Sequence, residues 1–141
     1  MSSNISTVYT VLTAYDPTGV TTNRDITACK LEVADADLPC RILTPATEGE
    51  ASFVGIGNLL SINWKIQDIC LWAPVGAGTG VQQYSAAFVT YIKSYIDKVK
   101  ADRSPAAGCA ITGLSFMISP IAWAKKNYWG VETIVTVEEK L

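Results

Sequence analysis

From Leu59 to Trp72 apolar and polar residues alternate: Ile62, Trp64, Ile66, Cys70 and Trp72 recur at every second position, with Asp68 the one break, and Ser61, Asn63, Lys65 and Gln67 lie between them. A period of two predicts a β-strand with one buried face. Fourteen residues at ~3.3 Å each reach about 45 Å, well past the usual strand of about five or six residues. A strand of that length is expected to outrun its own sheet and lean on another subunit.

Asp68 falls on the apolar face of this strand. It marks either a bulge, after which the alternation shifts to Ile69 and Leu71, or a charge paired across a subunit boundary. At the strand's far end Trp72 and the following Ala73-Pro74-Val75 are expected to form an exposed apolar tip, the kind of aromatic anchor that interfaces use.

The surrounding chain predicts an α+β domain. Ser3 or Asn4 can cap a first helix from about Ile5 to Tyr15, with Ile5, Val8, Tyr9 and Leu12 as its apolar stripe. Asp16-Pro17-Thr18-Gly19 stops it. Residues 20–37 read mostly as loop, and Leu38 to Leu43 as a short strand with Pro39 near its start. Pro45 to Glu50 reads as loop, and Ser52–Ile56 as a further short strand before the turn Gly57-Asn58. A second helix of roughly twenty residues is expected from Val81, its inward stripe being Val81, Tyr84, Phe88, Tyr91, Ile92, Tyr95, Ile96 and Val99. Lys98, Lys100 and Arg103 fall at its end, where positive charge suits the helix dipole.

Ser104 to Ala124 carries no charge, the length of a membrane span. Thr, Ser, Pro and Gly interrupt it, and Ala110, Thr112, Leu114, Phe116 and Ile118 alternate with their neighbours. A strand covered on both faces fits better than a membrane helix. Another strand is expected at about Val131–Glu138, after a loop from Pro120 to Gly130 that holds Trp123, Lys125, Lys126, Tyr128 and Trp129. The order α-β-β-β-α-β-β implies a mainly antiparallel sheet, with an N-terminal helix and one long amphipathic helix packed on it.

Composition narrows the function. At 141 residues the chain, 1–141, is expected to be one domain. Charged residues make up 17%, below the usual quarter or so, which favours surface buried in an assembly. A net charge of −2 gives no field to attract nucleic acid or an anionic membrane. Histidine is absent, which removes Ser-His-Asp and Cys-His nucleophiles and His-ligated metals. Cys29, Cys40, Cys70 and Cys109 lie too far apart in sequence for a zinc or redox motif. With no secretory pattern in Met-Ser-Ser-Asn-Ile-Ser, they are expected to be reduced thiols of a protein made in the cytoplasm.

Three constellations invite a chemical reading. Gly76-Ala77-Gly78-Thr79-Gly80 precedes a helix as a phosphate loop would, but its third Gly comes one position early and Val81 follows where a Walker motif needs Lys. A flexible connection is the plainer reading. Asp35 and Asp37 read as solvated charges and not a calcium loop. The Trp123–Trp129 segment mixes lysines with aromatics as single-strand binders do, yet two lysines suit core or subunit-contact aromatics better.

Taken together, Ala36-Asp37-Leu38-Pro39-Cys40-Arg41-Ile42-Leu43-Thr44-Pro45, the strand ending Cys70-Leu71-Trp72-Ala73-Pro74-Val75-Gly76, the long helix and the closing Tyr128-Trp129-Gly130-Val131-Glu132-Thr133-Ile134-Val135-Thr136-Val137-Glu138 resemble small neck proteins of tailed bacteriophages, above all tail-terminator (tail-completion) proteins. The resemblance implies a structural virion protein and no enzyme, with no cofactor. It implies a ring of like subunits, commonly a hexamer, assembled in the host cytoplasm at the head-proximal end of the tail tube. Its partners would be the tail-tube protein and the head–tail connector proteins, with DNA passing through the lumen without specific binding and no membrane involved. Asp68, Trp72, Pro74, Val75, Trp123, Tyr128 and Trp129 are the candidate subunit or partner contacts. Two other readings remain: a head-completion or connector protein, and a small ligand- or phosphate-binding α+β domain.

Overall fold

The computed structural model describes residues 3–20, 22–25, 38–44, 48–53, 60–75 and 84–140. The elements are α1 (Ile5–Thr13), β1 (Thr22–Asp25), β2 (Cys40–Leu43), β3 (Glu48–Phe53), β4 (Leu60–Pro74), α2 (Ser85–Ala101), β5 (Cys109–Trp123) and β6 (Lys126–Lys140). This is an α+β fold around one mainly antiparallel sheet. Its strand order is β1-β2-β4-β6-β5, with β3 pairing β4 beyond β2. β1, in a stretch that reads as loop, adds a strand to the expected order and pairs parallel with β2. Strand β3 starts earlier than the expected Ser52–Ile56, and residues 54–59 lie outside the described residues.

The long strand does not outrun its sheet. β4 pairs antiparallel with β6 from Ser61↔Lys140 to Pro74↔Tyr128. Its other edge is taken by β3 over Leu60–Lys65 and by β2 over Asp68–Leu71. β5 and β6 are 15 residues each, as long as β4, so the length that sequence alone assigns to a neighbouring subunit is matched within one chain. The bulge lies at Trp72, where the register shifts between Leu71 and Ala73, and not at Asp68.

The expected loop from Pro120 to Gly130 is instead the end of β5, a two-residue turn and the start of β6. Trp123 pairs with Lys126 across Ala124 and Lys125, both in the left-handed region at φ 51° and 66°. Two consecutive positive φ values make a type I′ turn, whose twist matches the strands it joins. Most of the uncharged run, from Cys109 to Trp123, is therefore strand β5. Among the described residues no helix is long and apolar enough to cross a membrane.

Both helices lie on one face of the sheet. Phe88, Tyr91, Tyr95 and Val99 from α2 and Val8 and Leu12 from α1 are buried against Ile66, Cys70, Val131, Val135 and Val137. Each fully buried large apolar side chain contributes ~1.5–3 kcal/mol, so this face holds the layers together. Trp72 stands edge-on to Phe88 at 5.4 Å and to Tyr91 at 6.0 Å between ring centroids. A smaller cluster of Cys40, Ile42, Ile69, Leu71 and Tyr128 occupies one end of the opposite face. Cys40, Cys70 and Cys109 are buried thiols; Cys29 lies outside the described residues.

Helix α1 brings no charge of its own to either end, and Asn4 makes no side-chain cap. At its N-terminus the Asn4 N–H donates to Glu139 Oε2 at 2.6 Å, and Ser3 Oγ–H donates to Glu139 Oε1 at 2.6 Å. Ser3 Oγ in turn accepts from the Ile5 N–H at 3.2 Å. At the other end Arg41 donates to the carbonyls of Leu12 at 2.7 Å and Tyr15 at 3.1 Å.

Candidate functional site

Six of the seven candidate contact residues, far apart in sequence, meet at one end of the sheet. Pro74 lies opposite Tyr128, Ala73 opposite Trp129, Pro120 opposite Trp129 and Ile121 opposite Tyr128. The Val75 N–H extends the ladder to Asn127 O at 2.9 Å. Trp72 and Trp129 pack on the helix face, while Trp123 and Tyr128 pack on the opposite face. Their exposure corrects the expectation of an apolar tip. Trp72 is half-buried beneath α2, and a Cβ on Gly19 would come within 3.0 Å of its ring. Tyr128 is a core residue of the single chain at 1% exposure. Of the six, only Val75 is exposed. The indole N–H groups of Trp123 and Trp129 are buried without a hydrogen-bond partner among the described residues.

Asp68 lies apart from this group and is fully buried. Its partner is not a second subunit but Arg41 of the same chain, with Arg41 Nε donating to Asp68 Oδ2 at 2.7 Å. The Tyr95 hydroxyl donates to the same oxygen at 2.8 Å, and the guanidinium carbon stands 5.5 Å from the Tyr95 ring centroid. β2 places Arg41 beside Asp68 because Leu43 pairs with Asp68 and Arg41 with Cys70, so both charged side chains project from the helix face. Burial pushes the Asp68 carboxyl up, and the Arg41 charge and two hydrogen bonds pull it back only in part. Burial also lowers Arg41, but the Asp68 charge and hydrogen bond, together with Tyr95 and Tyr91, outweigh it and hold the guanidinium above its ordinary value. The two partners thus point opposite ways. Arginine does not give up its proton in a protein, so the ionised carboxylate is the form that fits this contact.

This polar core is sealed. Burial pushes Tyr91, Tyr95 and Cys70 well above their ordinary values, which keeps each in its neutral, unreactive form. A substrate could meet them only if α1 or α2 lifted. Among the described residues no group of three metal-ligating side chains comes together. The Gly76–Gly80 run, Asp35 and Asp37 lie outside the described residues.

The feature that sequence reasoning missed is the edge formed by β5. Near its start the strand is partly covered, with the Ile111 N–H donating to Arg103 O at 2.7 Å. From Thr112 onward no described strand lies along its outer edge, the one turned away from β6. Met117 is 61% and Ile118 40% exposed. All 15 residues from Cys109 to Trp123 are uncharged. Among the described residues the Met117 and Ile118 side chains are left open, against the expectation of a strand covered on both faces. Sheet edges in soluble proteins ordinarily carry a charge, a proline, a short strand or a cover against pairing; among the described residues β5 shows only Pro120 beyond Thr112. Beside it a groove of about 500 Å³ opens between α2 and β5, lined by Ile96, Val99, Leu114 and Phe116, with Lys100 and Arg103 at its rim.

Compared with known proteins, the chain matches no family model, and no curated protein matches it.

Proposed function

We propose that this chain is a structural virion protein of a tailed bacteriophage. Like copies form a ring at the head-proximal end of the tail tube, where they stop tube growth and join the tail to the head connector. The observation that carries the reading is the bare β5 edge: a long uncharged strand whose composition suits burial and which no other described strand covers beyond Thr112. An edge of that kind is a template for pairing with another chain. The resemblance to tail-terminator proteins supplies the kind of assembly, and the sparse charge of the surface agrees with it.

The mechanism is assembly and involves no chemistry at a reactive group. Subunits meet through heterologous interfaces that repeat until the ring closes, each burying more than about 1,000 Å² in total. A faintly acidic subunit with net charge −2 lets DNA pass through the lumen without specific contacts. One face of the ring meets the tail tube and the other the connector.

Native mass spectrometry and electron microscopy of the pure protein and of virions test this. A ring located between tail tube and connector is the expected result. A ring seated directly on the portal moves the chain to the head-completion proteins. A monomer that is absent from particles overturns the reading.

A further inference from the structure

Arg41 and Tyr95 both donate to one oxygen of Asp68, Oδ2. The other oxygen, Oδ1, is buried without a hydrogen-bond partner among the described residues. Thr133 Oγ1 and the Tyr91 hydroxyl are unpartnered in the same sense, and all three residues are 0% exposed. Protein interiors rarely leave buried polar groups unpaired.

The three lie together. Thr133 on β6 sits directly opposite Asp68 on β4, so both side chains project to the helix face. Their oxygens do not bond each other, and a single water spans the gap that opposed side chains leave. Tyr91 stands on α2 one turn before Tyr95, whose hydroxyl reaches Asp68 Oδ2 at 2.8 Å. The Tyr91 hydroxyl lies near the Cys70 thiol, and Cys70 follows Asp68 by two residues on the same face of β4. Sulfur is a weak partner, and the hydroxyl stays unbonded. Burial is the main cause that pushes Tyr91 up, and among the charges that act on it the Asp68 carboxylate weighs most.

Charge and hydrogen-bonding capacity select the occupant. Arg41 already balances the Asp68 carboxylate, so a cation would add an uncompensated buried charge. An anion would face a carboxylate oxygen. A water can donate to Asp68 Oδ1 and exchange hydrogen bonds with two hydroxyls, each of which gives or accepts. About three such bonds are usual for a buried water.

We propose that one water molecule is held in the core between β4, β6 and α2, bonded to Asp68 Oδ1, Thr133 Oγ1 and the Tyr91 hydroxyl. Together with the Tyr95 hydroxyl it ties two successive turns of α2 to one carboxylate. Thr133 also lies opposite Phe116, which lines the groove between α2 and β5, so the water helps set how α2 lies over β5. This inference does not depend on the ring reading.

Thr133→Val and Tyr91→Phe keep the side-chain shape and each delete one hydroxyl. Each is expected to lower the melting temperature by about 2–4 °C, the shift that follows loss of one hydrogen bond in a chain of this size. The double variant is expected to lose less than the sum, because either change alone weakens the hold on the shared water. NMR relaxation dispersion of the water signal counts waters held longer than the molecule takes to tumble. The double variant is expected to hold one fewer than wild type. The same count in both overturns the inference, and so do strictly additive losses. A rise in melting temperature for either single variant also overturns it, since that is what hydroxyls left simply unpaired would give.

Discussion

Arg41 on β2 and Glu139 on β6 meet opposite ends of helix α1. The helix offers a positive dipole end to the Glu139 carboxylate and a negative end to the Arg41 guanidinium. Both charges belong to the sheet, so the helix is oriented on the sheet by polar contacts as well as by Val8 and Leu12 beneath it. With nine residues the helix falls short of the ~12–15 at which isolated helices become marginal in water, and this outside help is what fixes it.

Replacing Arg41 with Met strands a buried carboxylate. Arg41 and Asp68 are 1% and 0% exposed, and removing one partner of such a pair costs ~3–5 kcal/mol. The double variant Arg41→Met, Asp68→Leu is expected to recover much of that loss, because two apolar groups can fill the site without an unpaired charge. The capping of the Leu12 and Tyr15 carbonyls stays lost, so recovery falls short of wild type. Urea unfolding of the wild type, both single variants and the double variant measures the coupling. A single Arg41→Met variant as stable as wild type would show that the ion pair does not hold this part of the core.

Acid is expected to loosen α1 through Glu139. Burial raises this carboxyl, but the Ser3 hydroxyl, the Asn4 N–H, the Trp64 indole N–H and the Cys109 thiol outweigh burial and leave it below its ordinary value. A carboxylate depressed in the folded state gives stability that is present above its unfolded value, near 4.5. That stability is lost as pH falls through the folded value. Glu139→Gln keeps the shape and removes the charge. It is expected to lose ~2 kcal/mol at neutral pH, the range for hydrogen bonds to a charged group, and to show a shallower loss of stability in acid. Hydrogen exchange of the α1 amides against pH separates this local effect from general acid unfolding. Equal acid sensitivity in variant and wild type would remove Glu139 as the cause.

Periodicity made the helices and the long strand legible, and pairing hid the rest. The α2 stripe could be read directly because a period of 3.6 is a local property; Phe88, Tyr91, Tyr95 and Val99 are all buried. β4 was visible for the same reason, from Leu60 to Pro74. Its length pointed the wrong way, since whether a long strand is covered depends on β6 more than fifty residues later. The β5–β6 hairpin was misread because Ala124-Lys125 lacks the Asn-Gly or Asp-Gly signal of a type I′ turn, and Pro120 reads as a loop residue. Arg41 as the partner of Asp68 left one faint trace: a lone basic residue inside the apolar run Cys40 to Leu43. The gathering of Trp72, Trp123 and Trp129 at one end of the sheet follows from register, which no local pattern encodes.

Gly130 marks a close approach that no other residue can occupy. It pairs with Leu71 beside the bulge, and a Cβ there would stand 2.4 Å from the Cys70 carbonyl oxygen and 2.9 Å from Ile121 Cδ1. The backbone contact cannot give way without shifting β4. Gly130→Ala is expected to destabilise the chain by ~1–3 kcal/mol, the usual cost of overpacking, as measured by thermal unfolding. Gly113, whose Cβ would meet Thr136 at an ordinary 3.8 Å, is the control, and Gly113→Ala is expected to be nearly neutral. If the two alanine variants unfold together, the approach at Gly130 is not a constraint.

The turn between β5 and β6 stores strain that substitution can release. Ala124 and Lys125 both hold positive φ, 51° and 66°, where a residue with a Cβ costs ~1–3 kcal/mol and Asn or Gly costs less. Both side chains lie at the tip of a hairpin, with Lys125 exposed and Ala124 half-buried, so changes here alter little packing. Ala124→Asn with Lys125→Gly writes the preferred sequence of a type I′ turn into the chain. The double variant is expected to gain ~1 kcal/mol in urea unfolding, with no change in the slope that reports buried surface. Ala124→Val is expected to move stability the other way, since a β-branched residue tolerates this region least. Opposite signs for the two variants establish the strained turn, whereas a loss in both would mean that Ala124 and Lys125 are held by contacts stronger than the strain.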